Sequence, residues 1–269
     1  MSSIAALPFL KWAGGKRWLA ASLIAHTKKI SYKRYVEPFL GSGAIYFSLN
    51  PEKAILSDLN LDLINAYIAI RDDWQRVSNL LKIHHKNHSF DYYYKIRGLV
   101  TRNSFTSAAR FIYLNRTCWN GLYRVNKNGK FNVPIGTKKN VILESDRFDV
   151  ISNTLRNADI FCGDFEESIK KCGDGDLIFA DPPYTVKHNF NGFIKYNENI
   201  FSWEDQIRLS NAIHAASKRG AKIILTNAAH DSVRELYPNM KHDTLSRNSV
   251  IAGSKEKRGL YEELLVLSY

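Results

Sequence analysis

Asp181-Pro182-Pro183-Tyr184 is the segment whose residue types and spacing can do chemistry. The apolar run DLIFA reads as a strand that delivers Asp181 to the edge of a sheet. Two prolines stiffen the turn and remove two N–H donors, so the local carbonyls face the site with little competition. Tyr184 adds a flat surface for stacking. This set suits a planar amine whose lone pair is conjugated into a ring, which makes it a poor nucleophile. The Asp181 carboxylate and the Pro182 carbonyl can each accept one N–H bond. That favours pyramidal nitrogen and frees the lone pair for in-line attack on a methylsulfonium. Such a site works by positioning and electrostatics, without a covalent intermediate. The bland reading, a proline turn with no role, is disfavoured by the strand that leads into it.

Ligands of open α/β sheets sit beyond the carboxyl ends of the strands. Glu37-Pro38-Phe39-Leu40-Gly41-Ser42-Gly43 follows one strand pattern and leads into a helix pattern. Gly41 and Gly43 let the backbone turn tightly and approach a ligand closely. The full G-x-G-x-x-G pattern is missing, so a phosphate fits less well than a ligand with an adenosine and an amino acid. An ordinary strand-to-helix turn remains the alternative. Asp58 ends the next strand and either accepts bonds from two ribose hydroxyls or caps a helix. Asp164, followed by Phe165, ends a third strand. This pair either holds an adenine, by its amine and its ring face, or serves a cap. Phe9-Leu10-Lys11-Trp12-Ala13-Gly14-Gly15-Lys16 lacks the spacing of a Walker A loop. Lys16 there can pair with a carboxylate while Trp12 lines an apolar pocket, or the two are a core Trp beside a surface Lys.

The elements that must position these residues alternate. Strand patterns fall at 35–39, 54–58, 159–164, 176–181, 221–227 and 261–269. A helix pattern at 202–220 opens on Ser202 and closes at Gly220. The alternation predicts an α/β fold with a doubly wound, mixed and mostly parallel sheet. Residues 62–144 break the rhythm with helical patterns and then a basic, aromatic, Asn/Gly-rich stretch around a β-hairpin. They read as an inserted, mainly helical module in a core domain formed by 1–61 and 145–269. Lys and Arg total 38 against 26 Asp and Glu, a net charge of +12 that suggests a polyanionic partner. The three cysteines fit neither a disulfide framework nor a zinc site, so no metal is expected and a reducing, cytoplasmic setting fits. No apolar run approaches the ~20 residues of a membrane span.

FLKWAGGK (9–16), VEPFLGSGAIYF (36–47), SDLN (57–60), YLNRTCWNGLYRVNKNGKFNVPIG (113–136) and DPPY (181–184) together make the chain resemble the Dam-type DNA adenine-N6 methyltransferases. The stretches run in the family's order. The resemblance implies a Rossmann-like methyltransferase fold and transfer of a methyl group from S-adenosylmethionine to N6 of a flipped adenine in double-stranded DNA. It implies cofactor contacts from Trp12, Lys16, Pro38, Gly41, Ser42, Asp58 and Asp181, with Asp164 and Phe165 near the cofactor's adenine. Asp181, Pro182 and Tyr184 would be catalytic, and residues 62–144 would read DNA. A GATC target is implied. Arg124 would read a guanine through O6 and N7, and Lys11 would reach the first guanine. Leu122 and Pro134 would touch base edges, and Trp119 would press into the stack. Asn120 and Asn132 join them, with turn formation as their other reading.

A monomer is expected, in a setting with a cognate restriction endonuclease, alone, or on a mobile element. The loop 185–203, with Phe190 and Phe193, departs from the family and reads as a lid over the target base. Residues 247–265 read as a basic hairpin in which Arg247, Lys255, Lys257 and Arg258 contact phosphates. Rival amines are cytosine N4 and a protein glutamine. A non-catalytic nucleic-acid-binding module is the rival outside enzymes.

Overall fold

A computed structural model of the chain describes residues 6–27, 30–126, 129–186, 201–248 and 260–269. Seven strands form a sheet of order β3-β2-β1-β4-β5-β7-β6. They are β1 (Arg34–Glu37), β2 (Ala54–Asp58), β3 (Ala158–Cys162), β4 (Asp176–Ala180), β5 (Lys222–Ala228), β6 (Lys241–Asn248) and β7 (Leu260–Ser268). The pairs β1–β4, β2–β3 and β4–β5 are parallel, whereas β7 runs antiparallel to β5 and β6. This is the doubly wound, mostly parallel sheet that the alternating patterns predict. Its central strands are continuous apolar runs because both faces are covered: every residue of β4 is buried, and so are Ile223 to Asn227 of β5.

By contacts the chain forms two compact units, residues 1–29 with 40–163 and residues 30–39 with 164–269. The first holds β2, β3 and six helices: α1 (Ala20–Thr27), α2 (Ala44–Leu49), α3 (Leu61–Asn87), α4 (Phe90–Gly98), α5 (Ser104–Thr117) and α6 (Phe148–Leu155). Asn60, Ser89 and Asn103 cap α3, α4 and α5 by accepting from backbone N–H groups of their first turns. The segment 62–144 holds most of α3, then α4 and α5, a 3₁₀ turn at Trp119–Gly121 and an antiparallel bridge between Val125 and Phe131. Helix α3 packs on α5 within the segment and on α6 and β3 outside it. Its backbone departs from helical geometry at Asp73 (φ −153°, ψ 78°).

Arg116, in a buried ion pair, ties the segment around Phe9 into this unit. Arg116 donates to both oxygens of Asp146 at 2.6 and 2.7 Å, and also to the carbonyls of Phe9 and Val141. All of its donors are spent on fixed acceptors, the condition under which a buried charge is tolerated.

The second unit holds β1, β4, β5, β7 and β6, with α7 (Phe165–Ile169), α8 (Trp203–Lys218) and α9 (Asp231–Arg234). Ser202 caps α8 in a reciprocal box with Asp205, and Gly220 (φ +95°) lets the chain leave it, as the sequence predicts. A bidentate pair from Arg34 to Asp176, at 2.8 and 2.9 Å, pins the start of β1 to the start of β4. Strand β6 is new relative to the sequence patterns. Its sequence KHDTLSRN carries no apolar alternation because it forms an edge. The hairpin expected at 247–265 therefore has longer arms, β6 and β7. Lys255, Lys257, Arg258, Phe190 and Phe193 lie outside the described residues.

Candidate active site

The sheet order reverses at β1 and β4: the chain goes on from β1 toward β2 on one side and from β4 toward β5 on the other. The carboxyl ends of β1 and β4 form the topological switch point where open α/β sheets bind ligands. Glu37-Pro38 leaves the end of β1, and Asp181-Pro182-Pro183-Tyr184 leaves the end of β4.

The loop after β4 is held by polar groups from its neighbours. Thr226 of β5 donates its hydroxyl to Asp181 Oδ1 at 2.7 Å. Tyr184 donates its phenol to Glu263 Oε2 of β7 at 2.8 Å. Gln206 of α8 donates to the carbonyls of Pro183 and Thr185 and accepts from Asn227 at 2.9 Å. Thr226, Gln206 and Asn227 are fully buried, and Glu263 is 2% exposed. Burial raises the Tyr184 phenol well above its ordinary range. The carboxylates of Asp181 and Glu263 push it further, and a bond with Thr226 pulls the other way. Tyr184 is therefore neutral at any working pH and keeps an uncharged ring face.

Asp164 caps α7 in a reciprocal box with Glu167. Its Oδ1 accepts from Glu166 N and from Arg208 Nη2, both at 2.9 Å. Arg208 also binds Glu166 and Asp205 and lies over the Phe165 ring, 4.9 Å from its centroid. Burial works against its charge, but the bonds to Glu166, Asp205 and Asp164 hold the guanidinium protonated more firmly than usual. Phe165 is buried in a cluster with Phe39 and Phe201, at centroid distances of 5.4 and 5.7 Å. A cavity of about 490 Å³ opens beside Asp164, Arg208 and Arg219.

The first unit gathers the glycine turn. Asp58 ends β2 and accepts from Gly41 N and Asn60 N, each at 3.0 Å. Burial raises its carboxyl above the ordinary value, while the N–H groups of Asn60 and Gly41 favour the charged form. Gly41 (φ +48°) carries the indole of Trp12 so closely that a Cβ would meet its Cδ1 at 2.8 Å. Tyr67 of α3 donates to the Gly41 carbonyl at 3.0 Å. Gly43 caps α2 with left-handed backbone (φ 63°), and Ser42 between the two glycines is buried. Lys16 is 5% exposed and donates to Gly14 O. Trp12 stacks on Tyr123 at 5.5 Å and 26°.

The basic segment of the same unit is built around Lys11. Asn115 of α5 accepts from Lys11 N and donates to Lys11 O. The Lys11 stem passes Gly121 (φ +65°) so tightly that a Cβ there would meet Lys11 Cδ at 2.6 Å. Lys11, Trp119, Asn120, Thr137 and Lys138 line a cavity of about 240 Å³. Burial lowers the Lys11 ammonium, and the neighbouring Lys138 lowers it further. Trp119 is 52% exposed beside Asn120, which holds left-handed backbone (φ 54°). Leu122 and Pro134 are exposed, and the Pro134 carbonyl accepts from Trp119 N at 2.9 Å. Exposed Arg124 donates Nε to Asn132 Oδ1 at 2.9 Å.

Sequence reasoning missed Thr226, Glu263, Gln206 and Arg208. A signal existed for two of them: Glu263 and Thr226 are polar residues inside runs that otherwise read as buried strand. Among the described residues no His, Cys, Asp and Glu cluster could hold a metal, and no helix is long and apolar enough to cross a membrane.

The model of the D12 class N6 adenine-specific DNA methyltransferases matches residues 12–251. The chain is 35% identical to Type II methyltransferase M1.LlaDCHI of Lactococcus lactis subsp. cremoris, over 97% of this chain and 95% of that one. It is 37% identical to Type II methyltransferase M.MjaIII of Methanocaldococcus jannaschii, over 97% and 99%. DNA adenine methylase of Escherichia coli K12 is 30% identical over 96% and 94%. With a switch-point Asp-Pro-Pro-Tyr loop and a family match across nearly its whole length, the chain belongs to the D12 class of N6 adenine-specific DNA methyltransferases, and it is an enzyme of that activity.

Proposed function

We propose that this DNA methyltransferase takes its methyl group from S-adenosylmethionine, flips the target adenine out of duplex DNA, and reads GATC. The observation that carries the reading is the Asp181 loop at the switch point, with the carboxylate and the Tyr184 phenol each bound to a buried strand residue.

The residues present fit the cofactor. Each Asp58 oxygen spends one lone pair on a backbone N–H, and a carboxylate oxygen has a second for a ribose hydroxyl. Asp164 offers an acceptor for adenine, beside the buried Phe165 ring. Trp12, Lys16, Pro38, Gly41 and Ser42 are the further proposed contacts, with Lys16 as the cation for a carboxylate. S-adenosylmethionine supplies an electrophilic methyl on a sulfonium.

Asp181 and the Pro182 carbonyl would each accept a hydrogen bond from one N6–H and direct the nitrogen lone pair at the methyl. As the N–C bond forms, the S–C bond would break to leave a thioether, one N6 proton would be lost, and the other would stay on the methylated amine. Neutral Tyr184 stacks on the flipped ring. Residues 62–144 act as the DNA-reading module, with Arg124 on a guanine and Lys11 on the first guanine. Trp119, Asn120, Leu122, Asn132 and Pro134 surround the base positions. The relatives named type II methyltransferases favour a setting beside a cognate restriction endonuclease, and the enzyme is taken to act as a monomer.

Mapping modified bases in DNA exposed to the purified enzyme and S-adenosylmethionine tests this reading. N6-methyladenine within GATC is expected. N6-methyladenine within another word removes the target assignment alone, and N4-methylcytosine removes the assignment of the amine. Asp181→Ala should lower transfer by at least about 100-fold, the scale of losing a preorganised transition-state contact. Its circular dichroism should match the parent. A rate near that of the parent overturns the role of Asp181.

A further inference from the structure

We infer that Thr226, at the end of β5, is a positioning residue for the methyl transfer: its hydroxyl pins the carboxylate of Asp181 in the orientation that receives the target amine. The inference rests on the reading that Asp181 accepts a hydrogen bond from the target N6–H.

A carboxylate rotates broadly about its last side-chain bond, because torsions onto an sp² carbon have shallow minima. Asp181 follows the last residue of β4, on a loop whose two prolines donate nothing from the backbone. A side chain on a neighbouring strand can set its plane. Thr226 does this from the neighbouring parallel strand, with Oγ1 at 2.7 Å from Asp181 Oδ1. That length is the ordinary one for a hydroxyl on an acceptor oxygen.

Thr226 itself has little rotational freedom. It is fully buried, and its β-branched side chain has restricted χ1 freedom on a strand. Its backbone stands between β4 and β7, opposite Leu265. Two residues further along β5, Ala228 stands opposite Glu263, the acceptor for Tyr184. The end of β5 and its partner β7 thus fix both the acceptor and the stacking ring of the same loop. Thr226 also interacts with the Tyr184 phenol, which links the two. A threonine hydroxyl has one proton. An anionic carboxylate is a stronger acceptor than a neutral phenol, so the proton goes to Asp181. The Thr226 hydroxyl thus reaches the one carboxylate of the Asp-Pro-Pro-Tyr motif.

Steady-state methylation of duplex DNA by Thr226→Val and Thr226→Ser separates positioning from packing. Valine keeps the shape of threonine and loses the hydroxyl; serine keeps the hydroxyl and loses a methyl. Thr226→Val should lower kcat by about 10- to 100-fold, the range for losing one hydrogen bond to a charged group in the transition state. KM for DNA and for S-adenosylmethionine should stay within about two-fold, because the carboxylate's orientation matters for chemistry more than for binding. Thr226→Ser should recover most of kcat. If the valine variant does not fold, Thr226→Ala against Thr226→Ser makes the same comparison. A kcat for Thr226→Val near the parent, or equal losses in the hydroxyl-bearing and hydroxyl-free variants, overturns the inference. Asp181→Asn is measured alongside. If Asp181→Asn is inactive and Thr226→Val is not impaired, only this inference falls. If Asp181→Asn keeps the parent rate, the reading of Asp181 falls and the inference with it.

Discussion

Single side chains in this molecule are aimed by partners outside their own turn of chain. Arg124 shows this on the segment proposed to read DNA. Its Nε is held by Asn132 at 2.9 Å, across the antiparallel bridge of Val125 with Phe131. That leaves the terminal nitrogens of an otherwise exposed guanidinium with a preferred direction, as bidentate reading of a guanine requires. Arg124→Ala should remove about 1–3 kcal/mol of discrimination at one base of the target, the usual worth of such a contact. Comparing kcat/KM on the target with all single-base variants checks it, and discrimination at the other positions should stay as it was. Asn132→Ala should act at the same base and more weakly, because the contact survives but its direction is lost. A uniform loss across all sequences would instead make Arg124 a phosphate contact. The residue scale also explains what the sequence showed and hid. Asp181 to Tyr184 are contiguous, so their chemistry can be read from one window. Thr226 is 45 positions further on and Glu263 is 79 positions beyond Tyr184, and only the strand pairing of β5 and β7 brings them to the loop. Asp164 and Asp58 were each open to a capping reading. Asp164 does cap a helix, and Asp58 accepts two backbone N–H groups, so the structural duty is real whether or not a ligand shares the carboxylate.

At the scale of elements, the buried strands were legible and the edge was not. Runs such as DLIFA and KIILTN are apolar on both faces because helices cover both faces, and they appear within a residue or two of their expected limits. Strand β6 is polar along its length, since it pairs on one side only, so periodicity had nothing to report. The long helix α3 was legible in outline, while what its far end packs against was not. There, His84 is 8% exposed, stacks on Tyr113 at 4.9 Å, and shares a 2.9 Å hydrogen bond with Tyr92. Burial pushes its imidazole down to about 4. The sign follows from where protons bind. An unfolded His, at about 6.5, takes up a proton that the folded one refuses, so stability falls as pH drops from about 6.5 to about 4 and levels off below. The contribution is at most about 3 kcal/mol from this shift. Urea unfolding at pH 7 and pH 4.5 measures it. His84→Phe keeps a ring against Tyr113 and removes the titration, so its loss of stability between the two pH values should be clearly smaller. An unchanged loss would show that other groups govern the acid limb of stability.

Over the whole molecule, charge is the property that composition states most directly. The net charge of +12 is large for 269 residues, and it marks a partner with opposite charge before any motif is considered. For a protein that acts on DNA, such charge acts through counterion release, so affinity should fall steeply with salt. Which cations contribute is a question of exposure. Lys138 and Lys139 are exposed on the segment that follows Pro134, and Lys138 lines the cavity shared with Lys11 and Trp119. Burial is the main reason the Lys11 ammonium is lowered, and the nearby Lys138 lowers it further; a phosphate between the two would offset that second contribution. Titrating duplex DNA at several salt concentrations gives the slope of log affinity against log salt. The parent should show a slope of several units, near −0.9 for each phosphate neutralised. Lys138→Ala combined with Lys139→Ala should flatten the slope by about two units while discrimination between sequences stays the same, because phosphate contacts carry no base identity. A shallow parent slope would mean that the excess charge serves solubility rather than binding. An unchanged slope in the double variant would move the phosphate contacts to other lysines and arginines of the chain.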